Sequence, residues 1–308
     1  MQLKKDFLDY LRSISRSEGT IRGYSNDLDI FFVWNLQFNG NKRFVDVTKR
    51  NIVAFQNWLL ENNQNKPARV RRLKAALSSL SNFIENILDD EYKDFRPIIR
   101  KIENPANVPA REKSVFTTDE IEVVLHKLVD DGKYQIACAL ALAVYSGRRK
   151  AELCRFKLDY FDRAQVLADY FYVMPEKILT KGNKMIECYV IKDGFDPYLE
   201  AWKKHREANS IDSEWLFVTR GQDGGYVQAT TDTLNSWAKI IGRYCEKPFY
   251  FHAMRHLFVS NLVRDGMSDS SIVQVVGWAD ASMLPIYNDV PASESLQAFF
   301  DKKRAEQN

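Results

Sequence analysis

The sequence lacks the features of several protein classes. Its four cysteines form no C-x-x-C pair, which argues against a zinc site or a disulfide framework and favours reduced thiols in the core of a cytoplasmic protein. No apolar run is long enough to span a membrane, and the first residues, MQLKKDFLDY, do not form a signal peptide. With only 13 glycines and 9 prolines, long disordered segments are not expected. The cysteines are Cys138, Cys154, Cys188 and Cys245.

The length of the chain predicts two domains. A chain of 308 residues suits two domains of roughly 100–200 residues each. We place the linker at residues 105–116, because this stretch contains prolines and mixed charge but no apolar period. Residues 1–104 then form the first domain and residues 117–308 the second. The net charge of +3 is weakly basic, so the placement of charge is more informative than its total.

Residues 1–104 carry the spacing of four amphipathic helices, which predicts a compact helical bundle. Thr20 is predicted to cap the second helix and Thr48 the third. The fourth helix is predicted to begin with the stretch KPARVRRLK and to place Val70, Leu73 and Leu77 inside the bundle.

A basic cluster opens the fourth of these helices. The stretch KPARVRRLK holds five cations and no acid. A charge run is usually a solvated helix face, but a run without any acid at the start of a helix favours contact with DNA phosphates. Such contacts position a duplex without reading its sequence. The predicted DNA-binding residues are Lys66, Arg69, Arg71, Arg72 and Lys74.

Residues 117–308 are predicted to be mostly helical, with a small antiparallel sheet. QIACALALAVYSG is nearly all apolar, which predicts a helix buried on most sides. Residues 169–175 and 185–191 contain strand-like residues on either side of a TKGNK turn, which predicts a hairpin. Further helices are predicted at residues 196–209, at residues 231–244 and in a tail with Leu296, Phe299 and Phe300 on one side.

The stretch from His252 to Tyr287 delivers several reactive groups from the ends of short helices. His252 and Arg255 open one helix, Gly277 closes a second, and Trp278 follows that glycine directly. A cation, an imidazole, an indole N–H and a phenol suit chemistry on a phosphodiester. A second cluster of cations, Arg148-Arg149-Lys150, follows the buried apolar helix directly, and it favours the binding of an anion over a merely charged surface.

Three motifs occur in the order SGRRKAEL, TKGNK and HAMRH…GW…Y. Together they resemble the motif set of the tyrosine recombinase (phage integrase) family, in the two-domain layout of Xer and Cre. The stretch FLDYLRSISRSEGTIRGYSNDLDIFFVW resembles the family's SAM-like, helical core-binding domain. Each motif is weak alone, but their joint order and spacing are highly specific. The resemblance covers nearly the whole chain.

The resemblance assigns roles to individual residues. Arg149 takes the place of the first catalytic arginine, while Arg148 stands where the family usually has an apolar residue. Pro285 is unusual for the family, and it disfavours a helical conformation at Leu284. Lys184 is a weaker match than Lys181 for the hairpin lysine. The catalytic set implied is Arg149, Lys181, His252, Arg255, Trp278 and Tyr287, with Glu152 orienting the cations.

The resemblance implies a site-specific recombinase. Tyr287 would attack the phosphodiester and form a 3′-phosphotyrosyl intermediate, with His252 handling its proton and Lys181 protonating the 5′-oxygen. The reaction needs no cofactor, metal or ATP, because the covalent bond stores the energy for rejoining. The implied partners are duplex DNA with an inverted-repeat core site, three further copies in a tetramer, and accessory DNA-bending proteins. The tail helix packs either on its own chain or in trans on a neighbour.

Two other functions stay open from the sequence. A type IB topoisomerase shares the catalytic set, but the short chain and the recombinase-type first domain disfavour it. A DNA-binding regulator without catalysis is disfavoured because the catalytic set is complete. Between recombinase roles, Trp278 in place of the commoner histidine leans toward a mobile element over the resolution of chromosome or plasmid dimers.

Overall fold

The computed structural model describes residues 2–106, 114–180 and 184–291, and residues 293, 294, 297, 300 and 304 beyond them. The chain divides into two compact units, Met1–Glu112 and Lys113–Asn308. Each unit has an apolar core of its own.

The first unit is a bundle of four helices around aromatic side chains. Its helices are α1 (Gln2–Ser13), α2 (Glu18–Phe38), α3 (Lys49–Glu61) and α4 (Pro67–Ile87). Phe31 of α2 is fully buried, and its ring centroid lies 5.1 Å from that of Phe55 on α3 and 5.8 Å from that of Phe44. Burial of one such ring contributes about 1.5–3 kcal/mol. These contacts hold α2 and α3 together.

The starts of these helices are set by side-chain caps. Ser17 has the extended backbone of an N-cap and its hydroxyl accepts from the N–H of Thr20, so the prediction that Thr20 caps α2 is wrong. The earlier start also places Glu18 in the first turn, where the helix dipole favours an acid. Thr48 caps α3 as predicted, with a reciprocal bond to the side chain of Asn51.

The second unit is built around one buried helix. Its helices are α5 (Thr118–Asp130), α6 (Tyr134–Ser146), α7 (Lys150–Leu153), α8 (Lys192–Ala208), α9 (Thr231–Tyr244), α10 (Phe251–Arg264), α11 (Asp269–Val276) and α12 (Leu284–Tyr287). Residues 137–144 of α6 are all buried, and α6 packs against α5, α8 and α10. A helix covered on all sides needs an apolar residue at nearly every position, as the sequence has there.

Short antiparallel strands complete the second unit. They are β1 (Gln165–Leu167), β2 (Phe171–Val173), β3 (Ile178–Leu179), β4 (Met185–Ile186), β5 (Tyr189–Ile191), β6 (Val218–Arg220) and β7 (Tyr226–Gln228). The predicted pairing of β2 with β5 is present, but β1 adds a third strand, and β3–β4 and β6–β7 form separate ladders. Strands of two or three residues are too short to show a period of two. The predicted fold class, mainly α with a small antiparallel sheet, is confirmed.

Other predictions concern the cysteines and the end of the chain. All four cysteines are free thiols, and three of them are buried. The predicted tail helix lies mostly outside the described residues, since only Phe300 of its three apolar side chains is described. Among the helices that the structure describes, none is long and apolar enough to cross a membrane.

Two glycines end α6 and α11, the helices that precede Arg149 and Trp278 in the chain. Gly147 ends α6 with φ +59° and Gly277 ends α11 with φ +75°, in the left-handed region that favours glycine. A Cβ at Gly147 would overlap the ring of Phe258 on α10, and one at Gly277 would lie 2.9 Å from Cδ1 of Ile186 on β4. Backbone is therefore packed directly against a neighbouring element at both helix ends.

We expect Gly147→Ala to destabilise the second unit more than Gly266→Ala does. Both glycines have positive φ, at +59° and +75°, but nothing lies within 4 Å of a Cβ at Gly266. The left-handed backbone costs alanine about 1–2 kcal/mol at either position, and the overlap with Phe258 adds about 1–3 kcal/mol at Gly147 alone. Urea unfolding of both variants measures the difference, and equal losses of stability would contradict the packing described here.

Candidate active site

One face of α10 carries three polar side chains that contact the last short helix. His252, His256 and Ser260 are spaced by four residues, so they lie above one another on the same face. Each contacts a different part of the segment from Tyr287 to Asp289. Residues 35 positions apart in the chain are thereby brought together.

The phenol of Tyr287 contacts the outermost of these side chains. Its Oη lies 3.2 Å from Nε2 of His252. Burial lowers the pKa of His252 below its ordinary value, and the charges of Arg255 and Arg149 lower the pKa further. A histidine with a lowered pKa is neutral at pH 7 and can accept the phenol's hydrogen bond. The pair is therefore arranged for transfer of a proton from the phenol to the imidazole.

The two inner side chains hold the tyrosine's ring and backbone. The rings of His256 and Tyr287 have centroids 4.6 Å apart. Ser260 Oγ accepts from the N–H of Asp289 at 2.8 Å and lies 3.5 Å from the carbonyl oxygen of Tyr287. The carboxylate of Asp289 lies 3.5 Å from Nδ1 of His256. The face of α10 thus contacts the oxygen, the ring and the backbone of the same tyrosine.

The helix that carries Tyr287 starts beside a proline. Pro285 occupies the first turn of α12, where no N–H is needed. Leu284 has φ −57° and ψ −47°, so the expectation that Pro285 would keep this residue out of the helical region is wrong. The contacts of α12 with α10 outweigh the local preference of a residue that precedes proline.

Arg255 follows His252 by three residues, close to one turn of α10, and is completely buried. Its NH1 donates to the carbonyl of Gly147 at 2.8 Å and its NH2 to that of Val276 at 3.3 Å. The guanidinium carbon lies 5.6 Å from the ring centroid of Trp278 and 5.5 Å from that of Tyr287. Burial lowers the pKa of Arg255, and the neighbouring charges of Arg148 and Arg149 lower it further. Arg255 therefore lies under the two aromatic rings of the site.

Two donors of this cluster have no acceptor among the described residues. They are Nε of Arg255 and the indole N–H of Trp278, and both are buried. Buried donors are normally hydrogen-bonded, so a pair without an acceptor at one site is noteworthy. Both belong to groups that donate and cannot accept. They suit the oxygens of an anionic ligand.

Arg148 and Arg149 follow α6 but differ in environment. The side chain of Arg149 is 34% exposed, and its NH1 donates to Oε1 of the buried Glu152 at 3.1 Å. The side chain of Arg148 is buried and turned into the protein. The charges of Arg148, Arg149 and Glu152 all act on Arg255, so three cations surround a single carboxylate, and the excess positive charge favours an anionic ligand.

The predicted hairpin lysine, Lys181, lies outside the described residues. Its flanking strands β3 and β4 are described, and Ile186 of β4 packs against Gly277. The base of the hairpin therefore adjoins the turn that carries Trp278. The alternative lysine, Lys184, is exposed, and its carbonyl accepts from the N–H of Thr180 at 2.8 Å.

The basic cluster on α4 is only partly available for a ligand. Lys74 is buried and donates to the carbonyls of Ile102 and Glu103 at 3.0 and 2.6 Å, so its inclusion in the predicted DNA-binding surface is wrong. Arg69 and Arg72 both pair with Asp27, a carboxylate that is 1% exposed. Lys66 and Arg72 are exposed, and Arg69 and Arg71 are half-buried. The cluster includes a fixed acid that the local sequence does not reveal.

Reasoning from the sequence missed the residues that contact the backbone of Tyr287 and the segment after it. Ser260 and Asp289 were not singled out, although Ser260 lies eight residues after His252 and therefore on the same helix face. Arg148 was considered only as a neighbour of Arg149. Its buried bond to the carbonyl of Val275 joins residues 127 positions apart, which no local pattern indicates.

Comparisons with known proteins identify the family of the chain. The model of the phage integrase family matches residues 114–294, and the model of its N-terminal SAM-like domain matches residues 3–94. The SPbeta prophage-derived recombinase-like protein YomM of Bacillus subtilis is 31% identical over 243 residues, which cover 77% of this chain and 68% of that protein. Tyrosine recombinase XerD of Listeria innocua is 25% identical over 296 residues, which cover 92% and 93%.

A solved structure shares the fold. The lambda integrase fragment 75–356, crystallised as a dimer bound to a COC′ core site, superimposes with a TM-score of 0.67 at 16% identity and 94% coverage of both chains. The likeness shows the fold of the chain.

We expect Arg149→Gln to raise the pKa of His252. The substitution removes one of the positive charges that disfavour a protonated imidazole there. An NMR titration of the four histidines, assigned with His252→Gln, measures the shift. Arg264→Gln, at the far end of α10, is the matched control and should leave this pKa in place. An unchanged or lower pKa in Arg149→Gln would show that Arg149 does not act on His252.

Proposed function

The chain belongs to the phage integrase family, and from that membership we propose the steps by which its site acts on DNA. The protein is a tyrosine-type site-specific recombinase, an enzyme that cleaves and rejoins DNA. One observation carries the assignment of roles: Tyr287 Oη lies 3.2 Å from Nε2 of His252, beside the buried Arg255.

In the cleavage step, the phenol oxygen of Tyr287 attacks the phosphorus of a DNA phosphodiester. The bond between the phosphorus and the 5′-oxygen breaks, and the 3′-phosphate stays attached to the tyrosine. The phenolic proton passes to Nε2 of the neutral His252. Lys181 donates a proton to the 5′-oxygen, which leaves as a hydroxyl. Rejoining is the reverse attack by a 5′-hydroxyl, and it needs no nucleotide because the phosphotyrosyl bond retains the energy.

Arginines stabilise the charge that builds up during this attack. Arg149 and Arg255 offer forked donors to the non-bridging oxygens. Each charge-assisted hydrogen bond contributes about 1.5–3 kcal/mol, and the indole N–H of Trp278 adds a further donor. Glu152 orients Arg149 through their ion pair. Arg255 is fully buried, so DNA binding must shift α12 for a phosphate to reach it.

The assembly that carries out recombination is a tetramer on two synapsed duplexes. Lambda integrase has been crystallised as a tetramer bound to a Holliday junction, and we extend that state to this chain. Each duplex would carry an inverted-repeat core site, positioned by the exposed and half-buried cations at the start of α4. Accessory DNA-bending proteins shape the synapse, and the reaction takes place in the cytoplasm.

A mobile element is the proposed substrate of the reaction. The relative from Bacillus subtilis is prophage-derived by its name, and a transposon integrase in complex with circular-intermediate DNA shares the fold. Integration and excision of such an element require the cleavage and rejoining described above. The topoisomerase and regulator alternatives are not favoured by the family match.

We expect cells that express the protein to yield covalent protein–DNA adducts that survive hot detergent. Tyr287→Phe should abolish them, because it removes the attacking oxygen and keeps the ring. Tyr244→Phe is the matched control, since its hydroxyl bonds to Asp131 outside the site. Sequencing of the attached DNA should return a few inverted-repeat sites. Adducts scattered over the genome would favour a topoisomerase, and adducts that persist in Tyr287→Phe would disprove the nucleophile.

We expect Arg71→Gln to weaken DNA binding and to reduce the slope of log Kd against log salt concentration by about 1. Lys74→Met is the matched control from the same cluster. Its ammonium is buried against two backbone carbonyls, so the salt slope should stay the same even if stability falls. Fluorescence anisotropy across a range of salt concentrations measures both. If both variants changed the salt slope equally, Arg71 and the buried Lys74 would contribute alike to DNA binding, which would contradict this prediction.

A further inference from the structure

Two buried guanidiniums connect the same two helix ends. Arg255 donates to the carbonyls of Gly147 and Val276. Arg148 donates from Nε to the carbonyl of Ser146 at 3.1 Å and from NH2 to that of Val275 at 2.6 Å. Both side chains therefore join the end of α6 to the last turn of α11.

The helix ends explain how two cations can be buried side by side. The last carbonyls of a helix have no partner within the helix and carry the negative end of its dipole, so they favour a cation. Within the described residues, no carboxylate lies within 4 Å of Arg148, and its remaining contact is NH1 to Sγ of Cys188 at 3.8 Å. A buried charge that bonds mainly to backbone is costly. A side chain that merely filled this space would be apolar.

The bond from Arg148 acts on the turn that presents Trp278. The carbonyl of Val275 is held by Arg148, and that of Val276 by Arg255. The next two amides, of Gly277 and Trp278, both bond to the carbonyl of Val273. The indole ring of Trp278 then packs 5.2 Å from the ring of Tyr287, measured between centroids. The position of the end of α11 therefore determines where the ring of Trp278 lies relative to Tyr287 and Arg255.

We infer that Arg148 is a positioning residue for DNA cleavage. Its guanidinium fixes the end of α11 relative to the Ser146–Gly147 turn, and so sets where Trp278 and Arg255 lie relative to Tyr287. Arg148 makes no contact with the substrate in this role. The inference rests on the proposed function for its effect on rate, and on the structure alone for its effect on the α11 turn.

The test compares Arg148→Met with Arg206→Met. Methionine keeps the length and apolar stem of the side chain but donates no hydrogen bond. Arg206 is a matched control, because it is also buried and also donates to backbone carbonyls, those of Trp215 and Ser213 among them. We expect both variants to melt at a lower temperature. Only Arg148→Met should slow the formation of the covalent adduct, by about tenfold to a hundredfold.

Two readouts separate positioning from a general loss of stability. The adduct rate is measured well below both melting temperatures, at saturating protein, on a nicked duplex that carries a site recovered by adduct sequencing. Kd for that duplex should be unchanged. Hydrogen exchange at the amides of Gly277 and Trp278 needs no DNA, and it should speed up in Arg148→Met and not in Arg206→Met. Arg148→Lys keeps a cation but cannot span both carbonyls, so its rate should fall between Met and wild type.

The outcomes distinguish this inference from the proposed function. If the wild-type protein forms no adduct, the proposed function fails, while the exchange experiment still tests the α11 turn. If Arg148→Met cleaves at the wild-type rate with unchanged exchange, Arg148 only fills space and the inference is overturned. If Arg148→Met does not fold, Arg148→Lys decides: a slower rate with intact DNA affinity supports positioning, and an undiminished rate overturns it.

Discussion

The guanidinium of Arg255 holds together three segments that are distant in the chain. From α10 it donates to Gly147, 108 residues away, and to Val276, 21 residues away. A charge without exposed surface is stable only where its donors meet acceptors. Helix ends supply such acceptors because their last carbonyls are unpaired within the helix. The positions of Arg149 after α6 and of Trp278 after α11 follow from this arrangement.

Helix α10 supplies both the contacts to the tyrosine and a buried cation beside them. His252, His256 and Ser260 contact the segment from Tyr287 to Asp289, while Arg255 donates to the carbonyls of Gly147 and Val276. Partial desolvation, together with the nearby charges of Arg255 and Arg149, lowers the pKa of His252, so its neutral form can accept a proton. The positive charge of Arg149 and Arg255 thus favours a bound phosphate and also favours the neutral form of His252.

Residues that look alike in sequence differ once they are packed. Lys74 and Arg71 belong to one basic cluster, yet the ammonium of Lys74 binds backbone carbonyls in the interior. Arg148 and Arg149 are neighbours, yet one is buried and the other pairs with Glu152 near the surface. Side chains that are close in sequence take different environments once the chain is packed, so a cluster of charges is divided between surface and core.

The sequence by itself determined the order of the helices, the apolar centre at α6, the glycine that ends it, and the spacing that assigned the family. These features depend on local period and on motif order, which the chain carries directly. Only the tertiary structure decided that Ser260 and Asp289 hold the tyrosine, that Arg148 reaches Val275, and that Leu284 is helical before a proline. Those contacts join residues far apart in sequence, and their geometry exists only after α6, α10, α11 and α12 have packed.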